Sequence, residues 1–354
     1  MNKESKKFLF DLLKTPSPSG FEVPLQKLVK RRMARFADSI ESDLHGNLIV
    51  ALNPKAKRRI MLAGHADQIG FMVKHISADG FIYIGAIGGI DVGVVEGARV
   101  TILGKKGEVR GVVGRKPIHL QKPEERKKSS VDLDKLWVDI GNKKKKETES
   151  LVTVGDPVTF ELSVKELCQN RITSAGLDDK VGLFVAMEAL RMCSRSKLNV
   201  GLYAVSTIQE EVGLRGATTA AYSVEPEVGI AIDVTHASDT PATAGHKAPR
   251  CILGKGPVIS KGPNTNPVVG SLLEKVAKKQ RIPYQLGPSP KLAGNDARAI
   301  QVSRSGVATA TIGIPNRYMH TQVEICDLRD LQNSAKLLAE FVKSITARTS
   351  FKPV

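Results

Sequence analysis

The chain has 354 residues, 41% of them hydrophobic, and a formal net charge of +17 at pH 7. That length suits two domains with a core large enough to need no disulfide or metal staples. No stretch approaches the roughly 18 uninterrupted apolar residues of a membrane-spanning helix, which excludes that class.

Residues 5–13 follow a helical apolar period that ends at TPSPSGFE, a Pro/Gly/Ser break over 15–22. A helix over 23–36 and strands over 47–52 and 59–63 come next. From 70 to 166 the texture changes, and short β-type runs alternate with glycines without a long helix. GKKG at 104–107 reads there as a hairpin turn. The spacing predicts a small β-barrel or sandwich at 70–166, inserted into a domain made of 1–69 and 167–354. After Ile172 the helix–strand rhythm returns. A helix over 180–192 has an apolar face of Val181, Phe184, Val185, Ala189 and Met192. Strands at 200–207, 228–233 and 307–314 and helices at 267–281 and 327–347 complete the chain. Apolar strands alternating with helices predict an α/β fold, its sheet mostly parallel and covered by helices on both faces.

The charged first residues, MNKESKK, do not resemble an export signal. Cys168, Cys193, Cys251 and Cys326 are dispersed without metal-knuckle spacing. The expectation is a cytoplasmic protein with reduced, mostly buried thiols. Much of the excess positive charge lies in two lysine-rich runs, 122–128 and 143–146, flanking the single tryptophan, Trp137. They lack interleaved aromatics and read as solvated loops, with substrate steering or docking as the other reading.

Polar residues gather at the ends of the predicted strands. The 59–63 strand runs into His65 and Asp67, the 200–207 strand into Glu210 and Glu211, and the 228–232 run into Asp233. His320 follows the last strand, and Asp178-Asp179 precedes the 180–192 helix. Ligands of open α/β sheets bind at the carboxyl ends of strands, so these residues can share one rim. Histidines and carboxylates without cysteine suit Zn²⁺, Co²⁺ or Mn²⁺. So many carboxylates in a partly dry cleft would repel, and divalent cations would offset that charge. Each residue also has a plainer reading. His65 could be a core histidine, either aspartate a helix N-cap, and Glu210-Glu211 a surface turn. His65 and Asp67 are two apart on an extended segment, so Asp67 can orient the imidazole.

Seven motifs then carry a resemblance that runs nearly end to end. They are TPSPSGFE, GHADQIGF, GVVGRKPIHL, SAGLDDKVG, TIQEEVGLRGA, AIDVTHASDTP and IPNRYMHT, in that order. The chain resembles the tetrahedral and glutamyl aminopeptidases, co-catalytic metallopeptidases with two metal ions. The resemblance implies peptide substrates and two divalent ions, zinc or cobalt with manganese as a further option. His65 and Asp233 would hold one ion, Glu211 and His320 the other, and Asp178 would bridge them. Glu210 would act as general base on a metal-bridging water, Asp67 would support His65, and the Asp178–Asp179 peptide would be cis. The 70–166 insert would mediate dimerisation, and dimers would assemble into a dodecamer. The sequence departs from the family pattern at Gln68, Lys180 and Asn295, where glutamate, arginine and threonine are common. Three other readings are a metal-dependent deacylase of N-acylated amino acids, a glycosidase using Glu210 and Glu211, and an inactive basic scaffold binding nucleic acid. The glycosidase would not need the histidines, adjacent glutamates are poorly placed to flank a sugar, and the scaffold leaves the whole ligand set unexplained.

Overall fold

A computed structural model describes residues 1–122, 132–241 and 250–354. Helices α1 (Lys3–Lys14) and α2 (Val23–Met33) precede strands β1 (Ser39–Ser42), β2 (Leu48–Leu52) and β3 (Arg59–His65). Six strands then form a closed barrel: β4 (Gly70–Ile76), β5 (Ile82–Ile87), β6 (Arg99–Gly104), β7 (Gly107–Gly114), β8 (Trp137–Asp139) and β9 (Pro157–Phe160). A short helix, α3 (Lys145–Glu149), sits between β8 and β9. The chain continues through β10 (Lys165–Leu167), β11 (Arg171–Ser174), α4 (Leu177–Cys193), β12 (Gly201–Thr207), α5 (Arg215–Val224) and β13 (Val228–His236). Then come β14 (Val258–Lys261), α6 (Pro267–Lys279), β15 (Gln285–Pro288), α7 (Ala297–Gln301), β16 (Ala308–Asn316), β17 (Glu324–Asp327) and α8 (Leu328–Ser344).

The main sheet has eight strands in the order β1-β2-β12-β3-β13-β16-β14-β15. Its centre, β12-β3-β13-β16, is parallel throughout, while β2 and β14 join it antiparallel. The continuous apolar run of β3 follows from burial on both faces. Ile60 and Leu62 enter the large core beneath α1, α4 and α8, whereas Met61 and Ala63 pack with Ala217, Ala221 and Ile300 from α5 and α7. Each fully buried Leu or Ile contributes about 1.5–3 kcal/mol, which makes this two-sided core the main source of cohesion. The barrel has a separate core in which Phe71 and Phe160 meet edge to face at 5.3 Å. β10, β11 and β17 form a small third sheet.

The GKKG hairpin is present, with Gly104 paired to Gly107 across a two-residue turn. Of the barrel-or-sandwich expectation, the barrel is what forms. Regular helix in α4 begins at Lys180, because Asp178 and Asp179 have non-helical backbone angles. Cys193, Cys251 and Cys326 are buried, Cys168 is exposed, and all four are unpaired. Residues 143–146 are exposed, and most of the 122–128 run lies outside the described residues. Among the described residues no helix is long and apolar enough to cross a membrane.

Two features bring the site together. β3, β12, β13 and β16 run in one direction, so their carboxyl ends share one rim. The start of α4 also packs tightly onto the end of β3, where a Cβ on Gly64 would lie 2.4 Å from the Leu183 nitrogen.

Candidate active site

His65 closes β3 with its ring buried. Its backbone N–H donates to Asp179 Oδ2 at 3.1 Å, and its Nδ1 lies 3.0 Å from the Asp67 carbonyl oxygen. With Nδ1 held, Nε2 faces inward, 3.2 Å from Asp178 Oδ1. From the opposite side His320 brings its Nε2 to 3.1 Å from the other oxygen of that carboxylate, Oδ2. One aspartate therefore lies between two imidazoles. His65, Asp178 and Asp233 form one cluster of donor atoms, all within 4.8 Å of one another, and Asp178, Glu211 and His320 form a second. Glu210 Oε2 lies 3.9 Å from His65 Nε2, at the edge of the first cluster. The structure thus brings together all seven residues singled out in the sequence.

Asp67 does more than face the histidine. Its carboxylate is 3.5 Å from His65 Nδ1 but accepts closer bonds from Glu210 N at 3.0 Å, Glu211 N at 3.2 Å and Ser19 Oγ at 2.7 Å. It fixes the backbone of the two glutamates beyond β12. His320 has a left-handed backbone, φ 63°, which is uncommon outside glycine. It is held by a bond from its N–H to Glu324 Oε1 at 2.9 Å, and its ring lies beside Gly89 in the loop after β5. The Asp178–Asp179 peptide is cis.

The site holds more acids than bases in a dry setting, and its titration reflects this. Burial, with the charges of Asp233, Asp296 and Glu211, pushes Glu210 up to about 10. Burial, with the charge of Asp178, pushes Glu211 up to about 7. Asp179 and Asp233 are raised well above the carboxylate range, again by burial first. Asp178 goes the other way. Burial would raise it, but hydrogen bonds from His320 and His65 hold it well below its ordinary value. The Asp178 bond raises His320 to about 9 against the effect of burial. Glu211 Oε1 is buried without a hydrogen-bond partner. Such a group of acids is stabilised by cations.

Residues 46–337 match the sequence profile of the M42 glutamyl aminopeptidase family. The chain belongs to that family. A lysyl aminopeptidase of Pyrococcus furiosus is 38% identical over 336 residues, covering 94% of this chain and 95% of the relative. The TET aminopeptidase of a marine sediment Thaumarchaeota archaeon superposes with a TM-score of 0.92 at 32% identity, covering 98% of both chains. The TET1 peptidase of Pyrococcus horikoshii, described as assembling into a tetrahedron or a large octahedral shell, superposes with a TM-score of 0.84 at 30% identity. That match covers 96% of this chain and 100% of the other. An M42 aminopeptidase is a peptide hydrolase, and the rim cluster is where this member gathers histidines and carboxylates.

The three departures from the family pattern occupy defined places. Lys180 is buried, and its ammonium donates to the Thr15 carbonyl at 2.8 Å and to Gln68 Oε1. Burial lowers it to about 7. Asn295 lines a cavity of about 400 Å³ with Thr235, His236, Arg250, Ser260 and Thr311. Asp233 and Val258 both pair with Gly313, so the cavity lies on the Asp233 side of the sheet. Sequence reasoning missed two contributors. Ser19 lies within the TPSPSGFE motif, which was a signal. Glu324 begins a short strand outside all seven motifs and gave none.

Proposed function

We propose that the chain is a metal-dependent aminopeptidase that uses two divalent ions to remove N-terminal residues from peptides. The observation that carries this reading is the Asp178 carboxylate, each of whose oxygens faces a different imidazole at 3.1–3.2 Å. The donor set fits two ions. Each cluster offers one imidazole nitrogen and two carboxylates, Asp178 is common to both, and the unpartnered Glu211 Oε1 lies in the second. His65 and Asp233 would hold one ion, Glu211 and His320 the other, and Asp178 would bridge them. Nitrogen and oxygen donors of this kind suit zinc or cobalt, with manganese a further candidate.

When bound, the ions would polarise the scissile carbonyl and lower the pKa of an attacking water toward neutrality. Glu210 would take the proton from that water and deliver it to the leaving amine. Burial and neighbouring carboxylates favour proton binding on Glu210 in the metal-free site, and bound cations would oppose that effect and leave the carboxylate free to accept a proton. Asp67 would keep Glu210 and Glu211 in register through their backbone. The 400 Å³ cavity would accept the N-terminal side chain. We assign catalysis to residues 1–69 and 167–354, and dimerisation to residues 70–166. The assembly of the Pyrococcus horikoshii neighbour supports a homo-oligomer, taken here as dimers building a dodecamer in the cytoplasm.

The test is hydrolysis of a panel of aminoacyl-p-nitroanilides by chelator-stripped protein, with Zn²⁺, Co²⁺ or Mn²⁺ added back. Release restored by metal is expected. Release of acetate from N-acetylated amino acids without p-nitroaniline release from the free substrates would favour the deacylase reading, and full activity after stripping would end the metal reading.

A further inference from the structure

Glu324 opens β17 opposite Ser174 of β11, so strand pairing fixes its backbone. It is buried, at 1% exposure. Its two oxygens serve two backbone donors from distant parts of the chain. Oε2 accepts from Asp178 N at 2.9 Å, and Oε1 accepts from His320 N at 2.9 Å. These are the residues whose side chains meet at 3.1 Å in the second cluster. Neither sits in regular structure. Asp178 has non-helical angles at the head of α4, and His320 has the left-handed backbone described above. A left-handed non-glycine backbone is strained and persists only where its surroundings over-determine it. The Glu324 bond supplies part of that determination.

We infer that Glu324 is a positioning residue that clamps the backbones of Asp178 and His320 so that their side chains converge on one metal ion. It is not itself placed in either donor cluster. The inference rests on the two-metal reading. The carboxylate form is required because both partners are donors. A glutamine would keep one acceptor and turn an amide N–H toward the other backbone N–H. His320 is the partner expected to move, since it is partly exposed in a loop, whereas Asp178 heads a buried helix. The His65 cluster has its own tethers at Asp179 and the Asp67 carbonyl. Loss of the clamp should therefore affect one ion more than the other.

The experiment is titration of chelator-stripped protein with Co²⁺, followed by visible absorption, in the wild type, Glu324→Gln and Cys326→Ala. Cys326 is buried on the same strand, pairs with Ile172 and belongs to neither donor cluster, so it reports general loosening of β17. Wild-type protein should bind two ions in two steps. Glu324→Gln should keep the first step and weaken the second by about 10–100-fold, the usual cost of removing a group that orients a ligand. Excess Co²⁺ should restore its turnover, and Cys326→Ala should match the wild type in both steps. Two unchanged steps in Glu324→Gln would overturn the inference alone, as would equal weakening in both variants. Wild-type protein that takes up no cobalt would overturn the metal reading and this inference with it.

Discussion

Gly182 offers a direct test of how tightly the site is built. It lies one turn into α4 with an ordinary helical backbone, so alanine there adds one methyl group and no backbone strain. That Cβ would lie 2.2 Å from Asp179 Oδ1 and 2.4 Å from Oδ2. Ordinary contact begins near 3.4 Å, so the carboxylate must retreat by roughly 1 Å. Asp179 is fully buried and bonds to His65 N at 3.1 Å and Gly182 N at 3.0 Å. A retreat of that size breaks the bond to His65. A displacement of about 1 Å in a supporting group can cost on the order of 100-fold in rate, and overpacking a dense interior costs about 1–3 kcal/mol. Gly182→Ala is therefore expected to lose about 100-fold in kcat/KM on an aminoacyl-p-nitroanilide while still folding. Metal affinity should fall at the His65 cluster. Steady-state kinetics on that substrate, circular dichroism with a thermal melt, and a metal titration on one preparation check all three quantities. A variant with kcat/KM within threefold of wild type would mean that the Asp179–His65 bond does not position the histidine.

Further expectations concern the chemistry itself. Glu210→Gln should lower kcat by about 10²–10⁴-fold, the usual contribution of a general base, with metal content by elemental analysis unchanged; near-normal turnover would remove Glu210 from that role. Asp178→Ala should lower occupancy at both metal positions, and two fully bound ions would contradict the shared-carboxylate assignment. The cavity includes Arg250 and His236 and no carboxylate among the described lining residues, so acidic and uncharged polar N-terminal residues should exceed lysine by about tenfold in kcat/KM. A lysyl preference like that named for the Pyrococcus furiosus relative would refute this. In stripped protein, burial raises Glu211 to about 7 and Glu210 to about 10, and the Asp178 bond raises His320 to about 9. All three bind protons more tightly folded than unfolded. Their contribution is full below the unfolded values near ~4.3 and ~6.5 and is lost as pH rises through the folded ones. The melting temperature of stripped protein should fall from about pH 5 to pH 10, more steeply than that of metal-loaded protein, and a flat stripped curve would refute the charge argument.

The sequence was legible where physics repeats. The parallel centre of the sheet could be read because β3, β12, β13 and β16 are buried on both faces and hence apolar throughout. The GKKG turn could be read because hairpin geometry selects glycine. Most of the candidate site residues could be picked out because they end an apolar strand or follow one, where a charged group needs a reason to be, whereas Asp178 stood at the head of a helix and had a plain N-cap reading. Other elements left weaker traces. α5, RGATTAAYSV, is rich in poor helix formers and is held by tertiary packing of Ala217, Ala220, Ala221 and Val224. β14 and β15 have four residues each, and β15 contains Gly287 and Pro288. Glu324 was hidden because its role depends on two partners far away in the chain.

The buried carboxylates divide into two kinds of work, and the division explains why the site is so acidic. Asp178, Glu211 and Asp233 point donor oxygens into the two clusters. Asp67, Asp179 and Glu324 instead each accept two backbone N–H groups: from Glu210 and Glu211, from His65 and Gly182, and from Asp178 and His320. Five of those six donors belong to residues proposed to hold metal or move protons. The backbone tethers fix where each functional residue starts, so little reorganisation remains for the reaction. Charge-assisted bonds are the strong choice for this task, but each ionised tether would add a negative group to a site that burial already makes hostile to charge. Neutral tethers would relieve that repulsion and give up rigidity. The two proposed divalent ions would offset it while the tethers stay in place. On the two-metal reading, the acids that orient the ligands and the cations the ligands would receive form one electrostatic arrangement, and removing either half should loosen the other.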